Sequence, residues 1–291
     1  MLLAQRLNGE IISVDSMQVY RGMDIGTAKP SPAERQAVPH HLIDVADLNE
    51  LFDAARFVQL ARQAVVDIQA RGRVPIFCGG TGLYFQAYLA GLGEAPPADP
   101  ALRAALEAAP LEELLRELAE RDPKTYQQID RQNPRRVVRA VEVIRLTGQP
   151  FSSVRAQWAE APAEPPAAGC FIMLTRHNED LRRRIEARVD AMFAQGLVQE
   201  TERLMTAGLE KNRTAMQAIG YRQVVEYLRG FRPLAETVAL VKHRTRQFAR
   251  RQMTWFIHQG RWEWHLMLPY DRLGEVAETL AAAYSAAAAP R

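Results

Sequence analysis

The chain of 291 residues is poor in cysteine and lacks any long apolar run. Its cysteines, Cys78 and Cys170, both lie in apolar, strand-like segments without metal-ligand spacing, so we expect buried thiols in a reducing compartment. No apolar stretch approaches the about eighteen residues of a membrane-spanning helix. The N-terminal segment is too short and too polar for a signal peptide. These absences favour a cytoplasmic protein without a membrane span.

The composition predicts a globular domain with an uneven distribution of charge. Hydrophobic residues make up 47% and charged residues 24% of the chain, which allows a substantial core and excludes wholesale disorder. The net charge is only +3, yet residues 131–139 and 242–261 contain basic residues and no Asp or Glu. Each cluster alone could be a solvated helix face. Two such clusters favour a polyanion, and specifically a nucleic acid, as partner.

The order of apolar patterns predicts an α/β core with a helical insertion. Short apolar runs at 10–14 and 74–78 are typical of buried strands, and the period of apolar residues at 53–69 predicts a helix between them. This alternation indicates a parallel sheet with right-handed crossovers. Residues 91–169 contain no convincing strand, and their ends, at 91–100 and 161–169, are rich in Pro, Gly and Ala. A strand at 170–174 and further helices then resume the core.

Candidate chemistry begins where the first predicted strand ends, at Asp15. Ligands of open α/β sheets bind at the carboxyl ends of the strands, so Asp15 is a candidate general base; a capping or salt-bridge role is the alternative. Ser16 and Gln18 offer neutral hydrogen-bonding groups suited to a nucleobase edge. The turn Gly79–Gly82, between strand and helix, could hold an anion through backbone N–H groups, or its glycines could simply allow the turn.

Two C-terminal segments combine basic and aromatic side chains. Tyr221 and Arg222 follow a glycine, an arrangement that can stack on and pair with RNA, although a buried tyrosine with a bonded hydroxyl explains it equally well. The run from Lys242 to Phe256 supplies cations for phosphate contacts. We expect its aromatic residues to pack in the core rather than stack on bases.

Together, these segments resemble the motifs of the tRNA dimethylallyltransferase family, in the same order. The combination is specific, although no single piece is. The matching segments are DSMQVYRGMDIGTAKP (15–30), HHLID (40–44), GGTGLY (79–84), RRVVRAVEV (135–143), AIGYRQ (218–223) and RRQMTWF (250–256).

The resemblance implies a P-loop-type parallel sheet with helices on both faces, an inserted all-helical subdomain and a helical C-terminal part. The expected division is 1–92 with 168–291 for the catalytic core, and 93–167 for an insertion that contacts tRNA. The implied reaction transfers a dimethylallyl group from its diphosphate to the N6 amine of the adenosine 3′ of the anticodon. The implied partners are the tRNA anticodon stem-loop and dimethylallyl diphosphate, with Mg²⁺ as cofactor on ligands that stay unassigned, and the protein is expected to be monomeric.

The resemblance also assigns roles to individual residues. Asp15 matches the general base, and with Thr81 it forms the implied catalytic site. The less specific candidates for the diphosphate are Arg184, Arg188 and Lys242. The implied tRNA-binding residues are Asp15, Ser16, Met17, Gln18, Thr81, Arg103, Arg135, Arg136, Val137, Val138, Arg139, Gln217, Ala218, Ile219, Gly220, Tyr221, Arg222, Arg250 and Arg251.

One departure from the family pattern leaves alternatives open. No G-x-x-x-x-G-K-[ST] phosphate-binding motif occurs in the 291 residues. We therefore expect weak activity from the chain as written, and a catalytically impaired tRNA-binding protein is the second hypothesis. A small-molecule kinase or a prenyltransferase of free adenylate is the third, and the basic clusters, which a mononucleotide would not require, weigh against it.

Overall fold

The structure is a computed structural model, and it describes residues 1–154, 170–259, 263–268 and 271–288. The chain divides into two compact units, Met1–Phe85 with Ala163–Arg291, and Gln86–Pro162. The division expected from the sequence differs from this one by a few residues at each boundary. The predicted Pro- and Ala-rich edge at 161–169 lies outside the described residues.

The described strands and helices follow the order expected for an interrupted α/β core. The strands are β1 (Gly9–Val14), β2 (His40–His41), β3 (Val74–Gly79), β4 (Ile172–Arg176) and β5 (Glu263–Met267). The helices are α1 (Leu2–Arg6), α2 (Pro32–Ala37), α3 (Ala54–Ala70), α4 (Gly82–Ala90), α5 (Pro100–Ala108), α6 (Leu111–Arg121), α7 (Pro123–Gln128), α8 (Pro134–Thr147), α9 (Phe151–Val154), α10 (Asn178–Ala194), α11 (Leu197–Thr206), α12 (Tyr221–Leu228), α13 (Leu234–Gln259) and α14 (Leu273–Ala288). Short 3-10 turns lie at Leu209–Lys211 and Ala215–Gln217.

The strands are parallel, as predicted. Within the described residues, one sheet has the order β2-β1-β3, and β4 pairs with β5 in a second. Every residue of β1 is buried, because this strand lies between two others. The β1–β3 register begins at Gly9 opposite Val74 and ends at Val14 opposite Gly79. Parallel pairing therefore brings the carboxyl ends of both strands to the same edge.

Local signals explain where the first helices begin and end. Asp53 accepts a hydrogen bond from the N–H of Arg56, which caps α3, and the helix stops before Gly72, whose φ of 67° is left-handed. The glycines and prolines spaced along residues 21–39 predict a loop, but this segment contains α2. Ser31 and Glu34 form a capping box at its start, a signal visible in the sequence.

The prediction of two buried cysteines is wrong. Cys78 is exposed and Cys170 is only partly buried. Cys78 lies on β3, which is an edge strand of the described sheet, so one side of the strand has no covering neighbour there.

The second unit is a helical bundle with its own apolar core. Leu106 of α5, Leu114 and Leu118 of α6, and Val141 and Ile144 of α8 are all buried in this cluster. Helix α8 ends at Gly148, which has a left-handed φ of 72°, as its place after the apolar period predicts. The unit thus has the hydrophobic stripe that the sequence pattern requires.

Candidate active site

The catalytic candidates Asp15 and Thr81 lie on adjoining turns at the carboxyl edge of β1 and β3. The Thr81 N–H donates to the carbonyl of Val14 at 3.1 Å. The Ser16 N–H donates to the Thr81 hydroxyl oxygen, also at 3.1 Å. Because of these two bonds, the turn after β1 and the turn after β3 hold each other in place.

The Asp15 carboxylate has one engaged oxygen and one open oxygen. Its Oδ1 accepts from the N–H groups of Met17 at 2.8 Å and Gln18 at 3.2 Å. Its Oδ2 has no hydrogen-bond partner among the described residues, and the side chain is half-buried. Asp15 therefore caps the turn that follows β1, and its second oxygen is left without a partner among the described residues.

The side-chain amide of Gln18 is already used within the protein. Its oxygen accepts from the Ser13 hydroxyl at 2.9 Å, and its nitrogen donates to the carbonyls of Thr27 at 3.2 Å and Ala28 at 3.4 Å. The amide is therefore oriented by contacts within its own unit, and its role at a nucleobase edge stays a prediction. Ser16 and Met17 remain half-buried at the mouth of the turn.

The glycines of the turn after β3 are needed for space. None of Gly79, Gly80 and Gly82 has a positive φ in the structure. A Cβ atom at Gly79 would collide with the backbone of Val14 on β1, so only glycine permits this approach. The glycines are thus required by close packing rather than by a left-handed turn conformation, and anion binding by their N–H groups stays a prediction.

The same turn packs against α13. A Cβ atom at Gly80 would meet the side-chain amide of Gln252, and one at Gly82 would meet the indole of Trp255. The Gln252 amide donates to the Gly80 carbonyl at 3.1 Å. Gln252 thus fixes the turn that carries Thr81, although it was not among the residues predicted for the site.

The aromatic residues of α13 divide between core and surface. Phe256 is buried and meets the rings of Trp255 and Phe85 edge-on, at 4.9 and 6.1 Å between centroids. Phe248 is exposed, with the guanidinium of Arg251 5.8 Å from its ring centroid. The expectation of core packing is correct for Phe256 and wrong for Phe248. Arg250 is also exposed.

In the AIGYRQ motif, Tyr221 is completely buried. Its hydroxyl donates to Glu200 at 2.5 Å and accepts from the Gly26 N–H at 3.0 Å. Burial and the neighbouring Glu200 carboxylate raise the pKa of Tyr221, so the phenol stays a neutral donor. The Tyr221 ring therefore offers no face for RNA stacking.

The rest of this motif is also mostly engaged or buried. Ala218 and Gly220 are buried, and Ile219 is half-buried. Gln217 and Arg222 are exposed; Gln217 donates to the Arg213 carbonyl, and Arg222 pairs with a glutamate on its own helix. Only the two exposed side chains can reach a ligand without rearrangement.

The RRVVR motif on α8 separates into buried and exposed positions with the helical period. Val137 and Val138 are buried in the core of the second unit, so their side chains cannot contact tRNA directly. Arg135 and Arg136 are exposed at the start of the helix. Arg139 is half-buried and is held by hydrogen bonds to its own unit.

Of the three diphosphate candidates, two are occupied by carboxylates. Arg184 donates to Asp180 at 3.0 Å, and Lys242 donates to Asp190 at 2.7 Å. Hydrogen bonds from Arg183 first, and also from Arg184 and Arg176, lower the pKa of Asp180 to about 2.

The third candidate, Arg188, is exposed and has no ion pair within the described residues. It lines a surface cavity of about 510 Å³ together with Lys29 and Arg35, but Asp15 and Thr81 are not in the lining. Arg184 and Arg188 lie one turn apart on α10, and Lys242 contacts the same helix through Asp190, so the three candidates are near one another, although only Arg188 lines this cavity.

Comparison with known proteins decides the family. The model of the IPP transferase family matches residues 18–259. The chain belongs to the IPP transferase family. It is 45% identical over 254 residues to a tRNA dimethylallyltransferase of Citrifermentans bemidjiense, covering 87% of this chain and 82% of that one. It is 48% identical over 260 residues to a tRNA dimethylallyltransferase of Roseiflexus, with 87% and 83% covered.

Solved structures of IPP transferases agree with this assignment. The full-length tRNA isopentenylpyrophosphate transferase of Bacillus halodurans aligns with a TM-score of 0.71 at 38% identity, covering 99% of this chain and 90% of that one. A eukaryotic dimethylallyltransferase acting on tRNA aligns with a TM-score of 0.80 at 27% identity, covering 98% and 75%. The family resemblance drawn from the motifs is confirmed.

Two properties of this IPP transferase concern what it could bind. Among the described residues, no three His, Cys, Asp or Glu side chains are grouped to hold a metal ion. Mg²⁺ is often held by one or two carboxylates with substrate phosphates as further ligands, so binding of this ion would not require such a group. No described helix has both the length and the apolar character that crossing a membrane demands.

Proposed function

We propose that this IPP transferase moves a dimethylallyl group from dimethylallyl diphosphate to the N6 amine of the adenosine 3′ of the anticodon in tRNA, releasing diphosphate. Family membership supports the reaction. The observation that carries the site is the open Oδ2 of Asp15, on a carboxylate whose other oxygen is fixed by two backbone N–H groups.

The proposed step is a nucleophilic substitution at the allylic carbon. The N6 lone pair forms the new C–N bond while the C–O bond to diphosphate breaks, and diphosphate leaves with that electron pair. The proton of N6 passes to Oδ2 of Asp15. An aromatic amine is a weak nucleophile, so removal of this proton by an oriented carboxylate assists the attack. The target adenine must leave its stack to reach such a group.

Thr81 supports Asp15 by its hydrogen bond. Its hydroxyl oxygen accepts from the Ser16 N–H, which keeps the Asp15 turn at the end of β3. The Thr81 hydroxyl hydrogen makes no hydrogen bond to any described residue, so it is available to the substrate. Mg²⁺, when bound, would neutralise charge on the leaving diphosphate.

Exposed arginines supply the proposed contacts to the tRNA backbone. Arg135 and Arg136 begin α8, and Arg250 and Arg251 lie on α13; all four are exposed. Cations of this kind bind phosphates without reading sequence, and their release of counterions makes binding depend steeply on salt.

The test is transfer of a labelled dimethylallyl group to an anticodon stem-loop RNA by the 291-residue chain and by Asp15→Asn. We expect the parent to form product and the variant to lose about 10²–10⁴-fold in rate, the usual contribution of a general base. Asp67→Asn is the matched control, because Asp67 is exposed on α3 and bonded only to Gln63 among the described residues. An Asp15→Asn protein as fast as the control would refute the role of Asp15.

The same assay separates the alternatives. RNA binding without transfer by the parent would support the impaired tRNA-binding protein, and transfer to free adenylate would support a mononucleotide enzyme. The relatives argue for the enzyme acting on tRNA, because the match extends over 87% of this chain and 82% of the Citrifermentans protein.

A further inference from the structure

The second unit contains a buried carboxylate that binds two arginines of the proposed tRNA surface. Glu142 on α8 is completely buried. Its Oε2 accepts from Arg139, one turn earlier on the same helix, at 2.7 Å and from Arg103 on α5. Its Oε1 accepts from the Asp99 N–H at 3.2 Å, and Arg139 also donates to the Pro96 carbonyl at 2.6 Å.

This arrangement fixes both guanidinium groups at the edge of the core. The side chains of Arg103 and Arg139 are 34% and 30% exposed, whereas that of Glu142 is 0% exposed. A long arginine side chain loses rotamer entropy when it binds a ligand, and prior ordering removes part of that cost. The two cations share one carboxylate, so the cluster keeps a net positive charge toward solvent.

The cluster is continuous with exposed cations on the same helix. Arg135 lies four residues before Arg139, so both side chains occupy one face of α8. Arg103 adds a third guanidinium through Glu142. Planar guanidinium groups in a fixed geometry bind phosphate oxygens bidentately, which lysine cannot do.

We propose that Glu142 is a positioning residue for tRNA: it holds Arg103 and Arg139 in the orientation that binds the RNA backbone. The inference rests on the proposed function, since it takes RNA as the ligand of this surface. Glu142 itself is buried and does not touch RNA.

A simple count of charge leads to the opposite expectation. Replacing Glu142 by glutamine removes one negative charge beside the surface, and extra positive charge alone would strengthen binding to a polyanion. If orientation dominates, the same variant binds RNA more weakly, because both arginines lose their fixed geometry. The sign of the change therefore distinguishes the two effects.

The chain offers a matched control in the same unit. Glu117 on α6 accepts from Arg145 of α8 at 2.6 and 3.2 Å, so this pair also joins a carboxylate to an arginine of α8. Neither residue belongs to the proposed RNA surface. Glu117→Gln reports the effect of losing an ion pair and one negative charge within the helical unit.

The experiment compares Glu142→Gln, Glu142→Asp and Glu117→Gln with the parent. Anticodon stem-loop affinity is measured by fluorescence anisotropy at two salt concentrations, and KM is measured separately for RNA and for dimethylallyl diphosphate. We expect Glu142→Gln to weaken RNA affinity about tenfold, as a loss of one or two charge-assisted contacts would. The KM of Glu142→Gln for dimethylallyl diphosphate should stay within about twofold of the parent value. The RNA affinity of Glu117→Gln should also stay within about twofold of that of the parent. Glu142→Asp should recover part of the affinity.

Arg139→Lys provides a second route if Glu142→Gln does not fold. This variant keeps the positive charge but loses the planar guanidinium group. If the fixed guanidinium geometry matters, the variant binds RNA more weakly although its charge is unchanged. The proposal is overturned if Glu142→Gln, or Arg139→Lys in its place, binds RNA as tightly as the parent, or if Glu142→Gln and Glu117→Gln weaken binding equally.

The binding assay also separates this inference from the proposed reaction. A parent that binds RNA without transfer would refute the reaction while leaving the effect of Glu142 measurable by anisotropy. A parent that binds no RNA at all would overturn both.

Discussion

Replacing Tyr221 by phenylalanine tests whether the AIGYRQ motif acts through structure or through contact with RNA. The Tyr221 hydroxyl donates to Glu200 at 2.5 Å and accepts from the Gly26 N–H at 3.0 Å. Both oxygens of Glu200 also accept from the Ile25 N–H at 3.0 Å. The hydroxyl thus joins α12 and α11 to the loop that follows Met23, and all of this lies within the first unit.

The expected cost follows from these bonds. A hydrogen bond to a charged group contributes about 1.5–3 kcal/mol. Gly26 loses its nearer acceptor, but Glu200 Oε1 lies 3.4 Å from its nitrogen and compensates in part. We therefore expect Tyr221→Phe to lower the free energy of unfolding by about 2–3 kcal/mol. At about 2 °C per kcal/mol for a chain of this size, the Tm falls by about 4–6 °C.

The measurement is urea unfolding followed by circular dichroism, with Tyr227→Phe as control. Tyr227 lies on the same helix and its hydroxyl has no hydrogen bond among the described residues. Phenylalanine keeps the ring, so RNA affinity should be the same for both variants. The reasoning is refuted if Tyr221→Phe lies within about 0.5 kcal/mol of the control, the range of neutral substitutions, or if it alone loses RNA affinity.

Two further substitutions test packing and pH dependence. Gly79→Ala places a Cβ atom against the Val14 backbone, so we expect urea unfolding to show about 1–3 kcal/mol of destabilisation. Dimethylallyl transfer should also slow, because Asp15 directly follows Val14. An unchanged free energy of unfolding would contradict this prediction. The hydrogen bond from Arg71 is the main cause that lowers the pKa of Glu10 to about 2. The stabilisation that the ionised Glu10 gives the folded protein is therefore fully present above pH 4.5 and is lost as pH falls towards 2, where the carboxylate becomes protonated. Arg71 is half exposed, so solvent weakens its interaction with Glu10, and we expect Glu10→Gln to remove only about 2 kcal/mol of the stability that depends on acid pH. The measurement is the free energy of unfolding of parent and variant as a function of pH. Parallel curves for the two proteins would refute the prediction.

Local patterns in the sequence were sufficient to predict most elements and the family. The strand at 10–14, the helix at 53–69 and the strand at 74–78 all occur, because apolar period and capping residues act within a few residues of one another. The order of the motifs along the chain was sufficient to identify the IPP transferase family. Helix α2 was missed although its capping box is local, so this error lay in reading glycine and proline as loop signals alone.

The tertiary structure decided which residues of each motif are available. Tyr221 and Arg222 are neighbours in the sequence, yet the first is fully buried against Glu200 and the second is exposed. Such orientation depends on partners far away in the chain, which a linear pattern does not contain.

The predicted site shows the same division. The sequence by itself placed Asp15 at the end of a strand and a glycine-rich turn after another. Only the parallel pairing of β1 with β3 brought Thr81 to the Asp15 turn, and only α13 supplied Gln252 to hold that turn. Likewise, the arginines of the helical unit were visible as charges, whereas the buried Glu142 that orients them was not. Residue types and short-range periods are local properties, while hydrogen-bond partners and burial arise from contacts between distant segments.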